Sequence, residues 1–145
     1  MQNPGTRREA RRRGHAALEL ALLSPWIFFL FAGTLDMGFY AYALISTQNA
    51  ARVAVEYTSK APGTSADSDG ACRYALAELS GMGNLRGVTT CGATPLIVTA
   101  QKITADFDGV TASAVTVTYR TPMLIPIPGL PGQLTVKRTV QMRTL

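Results

Sequence analysis

Histidine, tryptophan and cysteine are scarce in this 145-residue chain: His15, Trp26, Cys72 and Cys91 are the complete set. One histidine, with two cysteines that form no CxxC pair, makes no persuasive set of metal ligands. No nucleophilic Ser or Cys has a His, Asp or Glu in recognisable catalytic context. A phosphate-binding glycine loop and an aromatic nucleic-acid platform are likewise missing. Acidic residues number only nine, and four of them alternate beside turns as Asp67, Asp69, Asp106 and Asp108. They read as solvated loop residues, because neither stretch supplies the roughly six oxygen ligands of a calcium site. The expectations are no enzyme, no cofactor and no metal.

The formal charge of +5 is concentrated at one end. Arg7, Arg8, Arg11, Arg12 and Arg13 account for five of the fourteen basic residues, opposed there only by Glu9, while from His15 onward nine basic and eight acidic residues nearly cancel. Such a chain has no basic groove for a nucleic acid backbone.

Directly after the arginines comes a run of mostly apolar residues to Leu35, including Leu18, Leu20, Leu22, Leu23, Trp26, Ile27, Phe28, Phe29, Leu30 and Phe31. About twenty such residues at ~1.5 Å per residue cross ~30 Å of hydrocarbon, so the lipid bilayer is an expected partner. The positive-inside bias keeps the arginines in the cytoplasm and places everything after the span outside. Pro25 removes one backbone donor and is a candidate kink, and Ser24 and Gly33 are small enough for close approach of another helix.

The helical pattern continues past the span. Tyr40 and Tyr42 suit the interface, Gln48, Asn49, Arg52 and Glu56 make a polar side, and Ala43, Ala50, Ala51 and Ala54 leave a narrow packing surface. Arg52 and Glu56 have the spacing of a helical ion pair. A helix over residues 15–57 is too long for a simple anchor and reads as a stalk.

Residues 58–69 are a connector of turn formers. A short helix is expected from about Ala71 to Leu79, capped by Ser68 or Asp69. Strands are expected over Leu96–Ala105, Val110–Arg120 and Leu134–Met142, with a turn at Asp108 and Gly109. In the last strand Leu134, Val136, Val140 and Met142 form the inward row, interrupted by Arg138, which is expected near an edge. The intervening segment, with Pro122, Pro126, Pro128 and Pro131, excludes a central strand. It either folds back over the sheet or offers an apolar loop to a partner or membrane. Cys72 and Cys91, both outside the membrane, are expected to form a disulfide. The resulting class is α+β: a long N-terminal transmembrane and stalk helix, a short helix and a small antiparallel β-sheet domain.

Glu19 is the informative residue. A charge just inside a span is costly and ordinarily has a partner. If the leader, residues 1–14, is removed after Gly14, the new α-amine on His15 makes Glu19 the fifth residue of the mature chain. In a staggered bundle of such helices, the carboxylate of one meets the ammonium of the next, and each relieves the other's desolvation.

Arg11 to Leu23 resembles the leader and helix start of a class III prepilin. The longer run GHAALELALLSPWIFFLFAGTLDMGFYAYALISTQNAARVAVEY resembles the TadE-like pseudopilins of tight-adherence (Flp) pilus systems. The resemblance implies Gly14 as the last leader residue, His15 and Glu19 at the processed start, and Asp36, Asn49 and Arg52 as helix-assembly positions. It also implies a minor pilin-like component of pilus biogenesis or associated secretion, held in the inner membrane with its C-terminal domain periplasmic or extracellular. Its partners would be a prepilin peptidase, other pilins or pseudopilins, and the inner-membrane assembly platform. Three other readings stay open: a single-span anchored binding or sensory module with an uncut leader, a secreted protein cut after the Ala41-Tyr42-Ala43 site, and an extracytoplasmic enzyme.

Overall fold

The computed structural model describes residues 4–104, 109–123 and 132–145, with side chains from His15 onward. The chain divides into two compact units, Met1–Gly38 and Phe39–Leu145. One helix, α1 (Pro4–Thr58), contributes to both. It starts earlier than the expected His15. Pro4 can occupy its first turn, where no intrahelical N–H bond is required, and the Arg, Glu and Ala that follow are good helix formers.

In the first unit, the apolar residues from Leu18 to Leu35 named above are each more than half exposed, around every side of the helix. A helix with no polar face and with its large apolar side chains exposed matches a lipid environment, and the segment is long and apolar enough to cross a membrane. Its hydroxyls turn inward on the backbone. Thr34 Oγ1–H donates to the Leu30 carbonyl at 2.7 Å, and Ser24 Oγ–H to the Ala21 carbonyl at 3.3 Å. The second bond has a specific use. Residue 25 of a helix ordinarily donates its N–H to the carbonyl of residue 21, and Pro25 has none to give. Ser24 supplies that carbonyl with a donor that hydrocarbon could not provide.

In the second unit, helix residues from Phe39 to Thr58 pack into a core with α2 (Ser68–Glu78) and a sheet of β1 (Gly92–Ala93), β2 (Leu96–Thr104), β3 (Thr111–Arg120) and β4 (Thr135–Arg143). The strands run antiparallel in the order β1-β2-β3-β4, so β4 is an edge of the described sheet. The register aligns Leu96 with Tyr119, Val98 with Val117 and Ala100 with Val115, and on the other side Val117 with Arg138 and Tyr119 with Val136. Paired residues share a face, so these rows form one apolar surface. The helix meets it with Ala43, Ala50, Ala51, Ala54 and Val55, all fully buried. Small side chains on the helix leave the bulk of the core to the strands.

A buried polar junction ties three segments together. Ser113 Oγ, on β3, lies 2.7 Å from Thr58 Oγ1 at the end of α1 and 2.9 Å from the Ser65 carbonyl in the connector. Below it, Leu145 N–H donates to the Ser59 carbonyl at 3.0 Å.

The strands match expectation to within one residue at their described ends. Gly109, with φ +67°, takes the left-handed turn after β2 that a side chain would resist. Ala105, Asp106 and Asp108, and the middle of the proline-rich segment with Pro126, Pro128 and Pro131, lie outside the described residues. The start of α2 differs from expectation. Its N-cap is Asp67, whose carboxylate accepts the Gly70 N–H at 2.9 Å, so the helix begins at Ser68 rather than near Ala71. The two-residue β1 and the single turn Gly83–Leu85 carry too few residues for periodicity to reveal them.

Candidate assembly interface along the helix

Gly14 and His15 are adjacent in α1, and Glu19 lies about one turn further on. Glu19 is exposed, and neither it nor Asp36 has a hydrogen-bond or ion-pair partner among the described residues. An acid within an apolar, lipid-suited segment and without a partner among the described residues is costly unless water, headgroups or another charge meets it.

On the second unit, the helix face opposite the alanines carries Ile45, Asn49, Arg52 and Glu56, all exposed. Arg52 and Glu56 have the expected spacing, but no ion pair joins them among the described residues. Instead, Arg52 shares a groove with Leu44, Ile45, Gln48, Asn49 and Arg138. Arg138 gets there because β4 holds it in register with Val117 on the helix-facing side, at the sheet edge, where its head can leave the core. Asn49 and Arg52 line the same groove. Arg138 as their companion was missed, although its interruption of an apolar row was the visible signal.

Cys72 and Cys91 are bonded, with Cα atoms 5.6 Å apart. The disulfide joins α2 to the segment entering β1. Near the start of α2, Tyr57 Oη–H donates to Asp67 at 2.8 Å and the Tyr57 ring stacks on Tyr74 at 4.7 Å. A Cβ on Gly70 would overlap the Tyr57 ring and the Asp67 carboxylate, which explains the glycine inside this helix. The Gly70 N–H and then the Tyr57 hydroxyl hold the Asp67 carboxyl below the ordinary range of its kind. Burial pushes the Tyr119 phenol up, while its bond to Asn84 opposes the shift. Asp67 is therefore a structural acid rather than a free loop residue, a correction to the solvated-loop expectation. No group of three or more His, Cys, Asp or Glu positioned to hold a metal is found among the described residues.

Residues 14–56 match the model of the TadE-like protein family. The chain carries a TadE-like segment. This segment begins at Gly14, contains Glu19, the apolar span, Asp36, Asn49 and Arg52, and ends at the polar side of the helix. The TadE-like segment covers the helix and none of the strands. No curated protein and no solved structure matches the chain significantly.

Proposed function

We propose that the protein is a minor, non-catalytic pilin-like component of Tad pilus biogenesis or its associated secretion machinery. In this reading a prepilin peptidase cuts after Gly14, the chain stays in the inner membrane or enters a pilus through α1, and the sheet domain lies outside. The observation that carries the reading is the TadE-like match over residues 14–56, coinciding with an apolar helix whose Glu19 has no partner among the described residues. The five preceding arginines support an N-terminus held in the cytoplasm. Other pilins or pseudopilins, and the membrane platform, are the partners that an assembly helix of this kind would meet.

The test is the intact mass and N-terminal sequence of the protein from native membranes, with the prepilin peptidase present and deleted. The expected result is a terminus at His15 only when the peptidase is present. A chain retaining Met1 to Gly14 in both strains would refute processing and favour an anchored binding module. A terminus at Leu44 would mean a secreted protein, and it would require cutting beside Ala43, which is fully buried in the core.

A further inference from the structure

We infer that the groove formed by Arg52 and Arg138 is a docking site for Glu56 of a second copy of this chain, in a parallel arrangement shifted along the helix axis. Two guanidinium groups line this groove, and no acid does among its lining residues. Among the described residues the Arg138 head makes one long contact, at 3.4 Å, donating to the carbonyl of its neighbour Lys137. Two like charges in one groove, beside the apolar side chains of Leu44 and Ile45, are complementary to a carboxylate.

The second copy supplies that helix. Glu56 is exposed on the same outward face and has no partner in its own chain among the described residues. A membrane span in each copy obliges the two helices to run parallel. Under that condition Glu56 of one reaches the level of Arg52 of the other by an axial shift of four residues, about 6 Å. A lipid headgroup is a poorer occupant. Arg52 lies ten residues beyond Tyr42, the later of the two interfacial tyrosines, or about 15 Å of helix. The inference does not depend on a pilus, only on two copies in one membrane.

Two differently tagged full-length copies are therefore co-expressed in a host without pilus machinery, solubilised in mild detergent, and one is captured through its tag. Wild-type copies are expected to co-purify. Capture is expected to fall at least about tenfold when both copies carry Arg52→Glu with Arg138→Glu, or when both carry Glu56→Arg, in line with the cost of opposing like charges across an interface. Pairing the double-reversed copy with the Glu56→Arg copy is expected to restore it, because each groove then faces an opposite charge. Folding is followed by the gel mobility of the oxidised Cys72–Cys91 form. If the double reversal disrupts the fold, Glu56→Arg, at an exposed position, decides alone. Failure of wild-type copies to pair, indifference to the reversals, or no rescue between folded variants would overturn the inference.

Discussion

Ser113→Ala tests the buried junction where α1, the connector and β3 meet. The substitution removes one oxygen and almost no volume, so cavity effects are small, and the consequence is electrostatic. The Ser65 carbonyl can only accept, which assigns the single hydroxyl hydrogen of Ser113 to it at 2.9 Å. Thr58 keeps an alternative, since its own hydroxyl lies 3.1 Å from the Val55 carbonyl. Removing Ser113 Oγ therefore leaves the Ser65 carbonyl without this donor, at a site where Thr58, Ser65 and Ser113 are all essentially inaccessible. An unsatisfied buried acceptor costs about 1–3 kcal/mol, whereas a lost hydrogen bond with a substitute partner costs about 1 kcal/mol or less. Ser113→Ala should thus destabilise the protein by about 2 kcal/mol, and the near-isosteric Thr58→Val by less than about 1 kcal/mol. Thermal unfolding of the full chain in detergent, followed by the far-ultraviolet signal, should show a Tm loss near 10 °C for the first and under half of that for the second, at about 4–8 °C per kcal/mol for a domain of this size. Equal losses, the reverse order, or a neutral Ser113→Ala would refute the assignment of the hydrogen to Ser65.

Replacing Cys72 and Cys91 together by serine opens a loop with a sequence separation of 19, and should cost about 3 kcal/mol in the loop-entropy model. The check is a lower urea midpoint for the variant, and a similar fall for wild type under reductant. Asp67 gives a pH dependence of known sign. Its folded carboxyl titrates below the ordinary value of 3.8, so the unfolded chain binds more protons as the solution is acidified. The stabilisation is full above pH 3.8 and is lost as pH falls through the lower folded value. Asp67→Asn, which retains a capping oxygen, should therefore differ from wild type most near neutrality, with the two urea midpoints converging toward pH 2; a constant difference would exclude the linkage.

How much of this was legible in the sequence depends on the range of the signal. The span and stalk were plain because hydropathy and helical period are local properties, repeated over many turns from Leu18 to Ala54. The strands were legible for the same reason: Val115, Val117 and Tyr119 alternate with Thr116 and Thr118 whatever they pair with. The disulfide followed from orientation and from there being only two cysteines to pair. Contacts between distant segments left no such trace. Tyr57, Asp67, Gly70 and Tyr74 form one cluster, yet nothing in the local pattern says that a tyrosine at the end of α1 will donate to the cap of α2. The helix was expected to start near Ala71, after the glycine, yet Gly70 lies inside it and supplies the clearance that the tyrosine ring occupies.

Arg138 lies between these cases. The alternation of β4 placed it on the inward face, where an unpaired cation is costly, and sequence reasoning resolved the conflict by moving it toward an edge. The structure agrees about the edge, since β4 pairs with β3 alone among the described strands. What the strand pattern could not contain is the identity of the surface beyond that edge: the helix flank from Leu44 to Arg52, more than eighty residues earlier in the chain. An inward charge at an edge serves two ends at once. It discourages indiscriminate strand addition along β4, and it gives the helix flank a positive charge that the stalk alone would carry only in Arg52. A neutral residue at position 138 would keep the strand but would leave the edge easier to pair and the groove with half its charge. The local conflict in the strand is thus the feature that makes the helix flank selective for an acidic neighbour.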